Sequence, residues 1–217
     1  MRPDTTPEAE EALAGITVSR ETMDRLAAHV ALLRRWQPIH NLVAPDTLDE
    51  VWSRHIADSA QLVALFPDAA RWLDLGSGAG FPGLVVAILI REWPGAWVGL
   101  VEANHKKCAF LREAIRTTGA PAEVYCARIE SVVKRWNKPV DVITARALAP
   151  LPVLCGFVAP LVAQGAVAVF HKGRNFEAEL REASQTWDID LVQHPSRGGE
   201  GRIVEIRQLS RREKGIP

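Results

Sequence analysis

The stretch Asp74-Leu75-Gly76-Ser77-Gly78-Ala79-Gly80-Phe81-Pro82-Gly83 follows the apolar run Trp72–Leu75 and leads into an apolar segment of helical character, Pro82–Arg91. A strand that passes through a glycine-rich turn into a helix is the context in which such a turn binds ligands. Glycine lets the backbone turn tightly and approach a ligand with no Cβ between them. Gly78-x-Gly80-x-x-Gly83 also satisfies the dinucleotide pattern, so charge has to discriminate. A dinucleotide brings a pyrophosphate to the helix N-terminus, where the Asp74 carboxylate would repel it. S-adenosylmethionine has no phosphate and carries an ammonium and a sulfonium, which suit an acidic neighbour. The turn therefore favours S-adenosylmethionine, with a dinucleotide site and a purely structural turn as the remaining readings. Glu102, at the tip of the next strand, is placed to accept hydrogen bonds from the ribose hydroxyls of either cofactor.

Outward from this turn, short apolar runs alternate with helical segments. Strands are expected at Trp72–Leu75, Trp97–Val101, Glu123–Cys126, Val140–Ala145, Ala166–Phe170, Ile189–Gln193 and Ile203–Ile206. Helices fit at Pro82–Arg91, Lys106–Thr117, Glu130–Trp136, Leu151–Val162 and Phe176–Thr186. This alternation implies an α/β protein with a mostly parallel sheet covered on both faces. The last two strands are joined by HPSRGGEGR (residues 194–202), too short for a helix, so the last strand should be antiparallel. Before the first strand, Ser19 is a plausible cap for a helix reaching Trp36, and Pro38 and Pro45 punctuate the following loop. Asp46 or Thr47 caps a second helix with an apolar stripe from Leu48 to Val63. Residues 1–18 read as a loosely ordered lead-in, 19–66 as a helical extension, 67–209 as the α/β domain and 210–217 as a basic tail.

The 217 residues carry 26 basic and 26 acidic side chains, which excludes a wholesale basic coat but leaves local basic patches open. Three cysteines without a CxxC pair argue against a disulfide framework or a zinc ribbon, and suit a reducing compartment. The N-terminus lacks the apolar core of a secretory signal. The uncharged stretch from Ala147 to Phe170 is broken by Pro150, Pro152, Gly156, Pro160 and Gly165, and reads as a buried helix and strand instead of a membrane span. A soluble cytoplasmic protein is expected.

Several segments taken together resemble the RsmG (GidB) family of small-subunit rRNA guanine-N7 methyltransferases: RRWQPIHNLVAPDTLDEVWSRHIADSA, DLGSGAGFPGLVVAI, VEANHKKCAFLRE, ARIE, ITARALAPL, HKG and GEGRIVEI. They cover most of residues 34–206 in the family's order. The resemblance implies the class I methyltransferase (Rossmann-like) fold with seven strands, S-adenosyl-L-methionine as cofactor, and 16S rRNA or a 30S particle as partner. It also implies a methyltransferase domain over 67–209, with Asp74, Gly76, Ser77, Gly78, Gly80, Phe81, Glu102, Ile129, Glu130 and Arg146 at the cofactor. Ile129 would pack on adenine and Glu130 would lie at its polar edge. Glu102-Ala103-Asn104 and Gly201-Arg202-Ile203 depart from the family's usual residues, and the second departure bears on substrate contacts.

Guanine N7 has an available in-plane lone pair, so its methylation needs no general base and rests on proximity and orientation. Arg146, always protonated, and Lys172 are assigned to positioning. Lys106, Arg128, Lys172, Arg174 and Arg202 form the expected RNA-facing set, and the tail cations are more simply solubilising charge. His55 and Asp58 stand three residues apart on one helix and are expected to hydrogen-bond to each other. Trp36, Trp52 and Cys126 read as packing. No metal site and no obligate protein partner are indicated. A small-molecule methyltransferase and a non-catalytic RNA-binding protein are the competing readings.

Overall fold

In the computed structural model, which describes residues 7–212, seven strands form one sheet in the order β3-β2-β1-β4-β5-β7-β6. The strands are β1 (Arg71–Leu75), β2 (Trp97–Glu102), β3 (Ala122–Cys126), β4 (Val142–Arg146), β5 (Val167–Lys172), β6 (Trp187–Pro195) and β7 (Arg202–Arg211). The first five are parallel, and β7 inserts antiparallel between β5 and β6. Because β1 pairs with both β2 and β4, its carboxyl end is where the strand order reverses, the place where open α/β sheets bind ligands.

Apolar strands covered on both faces need helices on both sides. One face buries Trp72, Val98, Leu100 and Val142 against α2 (Arg20–His40), α3 (Asp58–Leu65), α4 (Gly83–Leu89) and α5 (His105–Thr118). The other buries Leu73, Leu75, Val101 and Ile143 against α6 (Ile129–Val133), α7 (Leu151–Val162) and α8 (Phe176–Ala183). The N-terminal helices share the first of these cores. Phe110 of α5 lies at 5.7 Å from the Trp36 ring and 6.1 Å from His29, both on α2.

Four local expectations are corrected. The lead-in contains a helix, α1 (Pro7–Ala12), because Ala9 and Leu13 find an apolar surface to bury against; residues 1–6 lie outside the described residues. Helix α2 does not stop near Trp36 but runs through Pro38 to His40. A proline this close to the C-terminus removes one N–H from the last turn only. The Gln37 amide then closes the end by accepting from Leu42 N–H at 2.8 Å and Val43 N–H at 3.1 Å. The second helix is divided into a 3-10 turn (Pro45–Thr47), a π-helical segment (Trp52–Ala57) and α3. The basic tail begins inside the sheet, with Arg211 over the Trp187 ring and Arg212 bonded to Asp188 at 2.7 Å; Lys214 lies outside the described residues.

Since α2 and the sheet share one core, unfolding should be a single transition. Phe110→Ala should cost about 3–5 kcal/mol, and urea denaturation followed by circular dichroism and by tryptophan fluorescence should give coincident curves for both proteins.

Candidate functional site

Gly76, Gly78 and Gly80 all take positive φ, at 71°, 53° and 88°. Neighbouring strands hold this turn through its amides. Gly76 and Ser77 N–H donate to the Val101 carbonyl at 2.8 and 3.0 Å, and Gly78 N–H donates to Glu102 Oε2 at 2.9 Å. Glu102 Oε1 accepts from Asn104 N–H at 2.8 Å, so this carboxylate joins the glycine turn to the cap of α5. A Cβ at Gly83 would stand 2.5 Å from the Asp74 Cβ, whereas one at Gly78 would meet only the Gly76 carbonyl at 3.8 Å. The first glycine is needed for packing against the protein itself. At Gly78 the space beside the backbone is open.

Asp74 is 1% exposed and faces inward beneath the turn. Thr144 Oγ1 donates to its Oδ1 at 2.7 Å, and its Oδ2 is buried without a hydrogen-bond partner. Burial is the main cause that raises its pKa to about 6. Ser77 is likewise buried, with its hydroxyl on the Asp74 carbonyl at 3.0 Å. The Phe81 ring stacks on His55 at 4.8 Å and lies 5.1 Å from His29. All three side chains brace the turn from within.

Two histidines that sequence reasoning left out or paired differently complete the brace. His29 Nε2–H donates to the Ala79 carbonyl at 2.9 Å, and burial lowers its pKa to about 4. A histidine inside the apolar stripe of α2 was the available signal. His55 does not bond Asp58. The Thr47 hydroxyl already donates to the Ala44 carbonyl, so His55 Nε2–H donates to Thr47 Oγ1 at 2.9 Å. Burial, helped by the nearby Arg146 charge, lowers the His55 pKa to about 3.

Arg146 stands at the end of β4, where its Nη2 donates to the Arg54 carbonyl at 2.8 Å. Its Nη1 is buried without a hydrogen bond and lies 3.5 Å from Asp58 Oδ2. Lys172 departs from expectation. It is 9% exposed, forms an ion pair with Glu179 and donates to the Ala149 carbonyl at 3.1 Å, beside a cavity lined by Ala145, Ala147, Leu148 and His171. Arg202 is engaged by Glu177 at 2.7 Å and Gln193 at 2.8 Å. Lys106, Arg128 and Arg174 are exposed, Arg174 with only a 3.9 Å approach to Glu200. Ile129 opens α6 and is partly buried, and Glu130 beside it is exposed. Among the described residues, no group of three or more His, Cys, Asp or Glu side chains could hold a metal, and no helix is long and apolar enough to cross a membrane.

A seven-stranded sheet with β7 inserted antiparallel, and a glycine turn at its reversal point, defines the class I methyltransferase fold. The chain aligns at 18% identity over 88% of its length with SAH-bound Podospora anserina methyltransferase PaMTH1, covering 97% of that structure with a TM-score of 0.58. An O-methyltransferase from Bacillus cereus in complex with SAH aligns at 16% identity, covering 91% of this chain and 96% of that one, TM-score 0.56. These likenesses concern the fold. Within that class the chain belongs to the GidB family, rRNA small subunit methyltransferase G, whose profile matches residues 22–200. It is 57% identical over 195 residues to a ribosomal RNA small subunit methyltransferase G of Bradyrhizobium diazoefficiens, covering 90% of this chain and 75% of the relative. A protein of the same name from Bradyrhizobium sp. strain ORS 278 is 54% identical, with 93% and 91% covered.

Both buried histidines are neutral in the fold but protonate near 6.5 when unfolded, so their contribution to stability is present above that pH. It falls as pH drops from 6.5 toward about 4 for His29 and about 3 for His55. Asp74 acts in the opposite sense, because its raised pKa lowers stability as pH rises from 3.8 to about 6. His29→Gln, which keeps a donor for Ala79, should therefore show a smaller loss of urea midpoint between pH 7 and pH 5 than the unaltered protein. Lys172→Ala should lower stability by roughly 1–3 kcal/mol, because it removes the cation beside Glu179 and leaves that carboxylate only the Leu151 N–H at 2.7 Å; urea denaturation measures it.

Proposed function

We propose that this methyltransferase transfers a methyl group from S-adenosylmethionine to N7 of a guanine in 16S rRNA of the small ribosomal subunit. The observation that carries the reading is the family match over residues 22–200 joined to an intact, braced glycine turn. The open backbone at Gly78, with Glu102 directly beside it, fits a cofactor cradle in which an added Cβ would fill ligand space. Gly76, Gly78, Gly80, Glu102, Ile129 and Glu130 would hold S-adenosylmethionine. Asp74, Ser77 and Phe81 would support that cradle from behind. The bound cofactor supplies an electrophilic methyl group on a sulfonium.

The protein's part is then geometric. The guanine N7 lone pair attacks without prior loss of a proton, so no side chain has to act as a base. What accelerates the step is alignment of N7 with the methyl carbon. Arg146 would serve this with a guanidinium held through Nη2 by the Arg54 carbonyl and facing Asp58 Oδ2 at 3.5 Å through Nη1. Turned toward the ligands, it suits guanine O6 or the methionine carboxylate. Contact at O6 keeps the positive charge off the purine face, which becomes cationic as the methyl group arrives. Exposed Lys106, Arg128 and Arg174 surround this mouth and would neutralise phosphates, giving salt-dependent binding. A ribosomal substrate places the reaction in the cytoplasm.

The direct test supplies labelled S-adenosylmethionine and 30S particles lacking the modification, then maps the methylated base. Label at a guanine N7 of 16S rRNA is expected; label on another base or none on RNA would overturn the reading. In calorimetry the protein should bind S-adenosylmethionine and not NAD. Gly78→Val should abolish that binding while the protein remains folded, because a β-branched residue opposes a φ of 53° and occupies the open space.

A further inference from the structure

Asp58 is 3% exposed, and its two carboxylate oxygens serve two different parts of the molecule. Oδ1 accepts from the Ser196 hydroxyl and from Gly198 N–H at 3.2 Å, both in the turn between β6 and β7. Oδ2 faces Arg146 Nη1 at 3.5 Å and His171 Nε2 at 3.4 Å. The His171 ring also donates to the Asp58 backbone carbonyl at 3.1 Å. Burial pushes the His171 pKa below its ordinary value, so at neutral pH the cation facing Oδ2 is the guanidinium.

The packing leaves this carboxylate little freedom. A Cβ at Gly198 would come within 2.9 Å of the Asp58 Cγ and 3.0 Å of the Arg54 carbonyl oxygen, the same oxygen that accepts from Arg146. The β6–β7 turn thus lies directly against both groups that hold the arginine. Asp58 begins α3 at the end of the π-helical segment that contains Arg54. π-helical turns are uncommon and recur at functional sites.

We infer that Asp58 is a positioning residue, which aims Arg146 at the reacting ligands and links that aim to the β6–β7 turn on the substrate side. This rests on the assignment of Arg146 to the ligand-binding mouth. Through Oδ2 the carboxylate balances the buried guanidinium and leaves Nη1 without a hydrogen bond of its own. Through Oδ1 it anchors Ser196 and Gly198, next to the exposed Arg197 and Arg174. A shift of the turn on RNA docking would reach Arg146 through one rigid side chain.

The test is a double-mutant cycle read by two measurements, the Kd for S-adenosylmethionine by calorimetry and kcat with 30S particles. Asp58→Asn keeps an acceptor for Ser196 and Gly198 but removes the charge facing Arg146. It should lower kcat or weaken the donor complex on the order of 10-fold, an effect of orientation. In an Arg146→Lys background the same change should cost less than about 2-fold, because sites that act through one another are not additive. A purely structural Asp58 would cost the same in both backgrounds, and that result overturns the proposal. So does an Asp58→Asn protein with unaltered Kd and kcat. If Asp58→Asn cannot be recovered folded, Ser196→Ala reads the other oxygen; it should raise KM for 30S particles while leaving the donor Kd alone, and an unchanged KM overturns the link to the turn. An unaltered protein that binds the donor but methylates no 30S particle overturns the substrate reading alone, since the binding cycle still reports the coupling. One that binds no donor overturns both.

Discussion

The fold is organised around a backbone that must stay left-handed at three glycines within five residues, between β1 and α4. Apart from Gly80 N–H to the Ser77 carbonyl at 2.6 Å, the turn's polar groups find their partners outside it. It finds them on three sides. β2 offers the Val101 carbonyl and the Glu102 carboxylate, α2 offers His29, and β4 offers Thr144 by way of Asp74.

This explains why the N-terminal helices are continuous with the sheet's core. His29, Phe81 and His55 make one stack that runs from α2 through the glycine turn to the π-helical segment. Neutral imidazoles suit this position. They carry a single directed N–H to one carbonyl or hydroxyl while presenting a flat apolar face to Phe81, and their low pKa values keep charge out of the stack.

Electrostatically the mouth of the sheet is divided. Lys172, Arg202 and Arg146 each meet a carboxylate or carbonyl, so they are held in place by the protein. Lys106, Arg128 and Arg174 project into solvent and remain available to a polyanion. Exposed cations gathered at one end of the sheet let a chain of zero net charge still present a basic face. The first group fixes geometry, and among its members Arg146 alone keeps a buried N–H without a hydrogen bond, 3.5 Å from Asp58 Oδ2.

Hydrophobic period and glycine spacing were sufficient to read the α/β class, the strand count and the location of the turn, since these follow from local backbone preference and apolar patterning. Helix α7 matches its expected span from Leu151 to Val162, because an uncharged run bounded by Pro150 and Gly165 admits little else. The passage of α2 over Pro38 was not legible, since it depends on Gln37 reaching forward to Leu42 and Val43. Nor were the roles of the charged and polar residues. Asp74 and Lys172 occupy strand ends that look open in sequence, yet one is buried beneath Gly83 and the other against Glu179. His55 and Asp58 are neighbours on a helix and still turn to different partners, Thr47 and Ser196, respectively 8 and 138 residues away. Sequence spacing determines which elements form. Which way a polar side chain faces is decided by the partner that satisfies it once water is excluded, and that partner is brought near only by the tertiary fold.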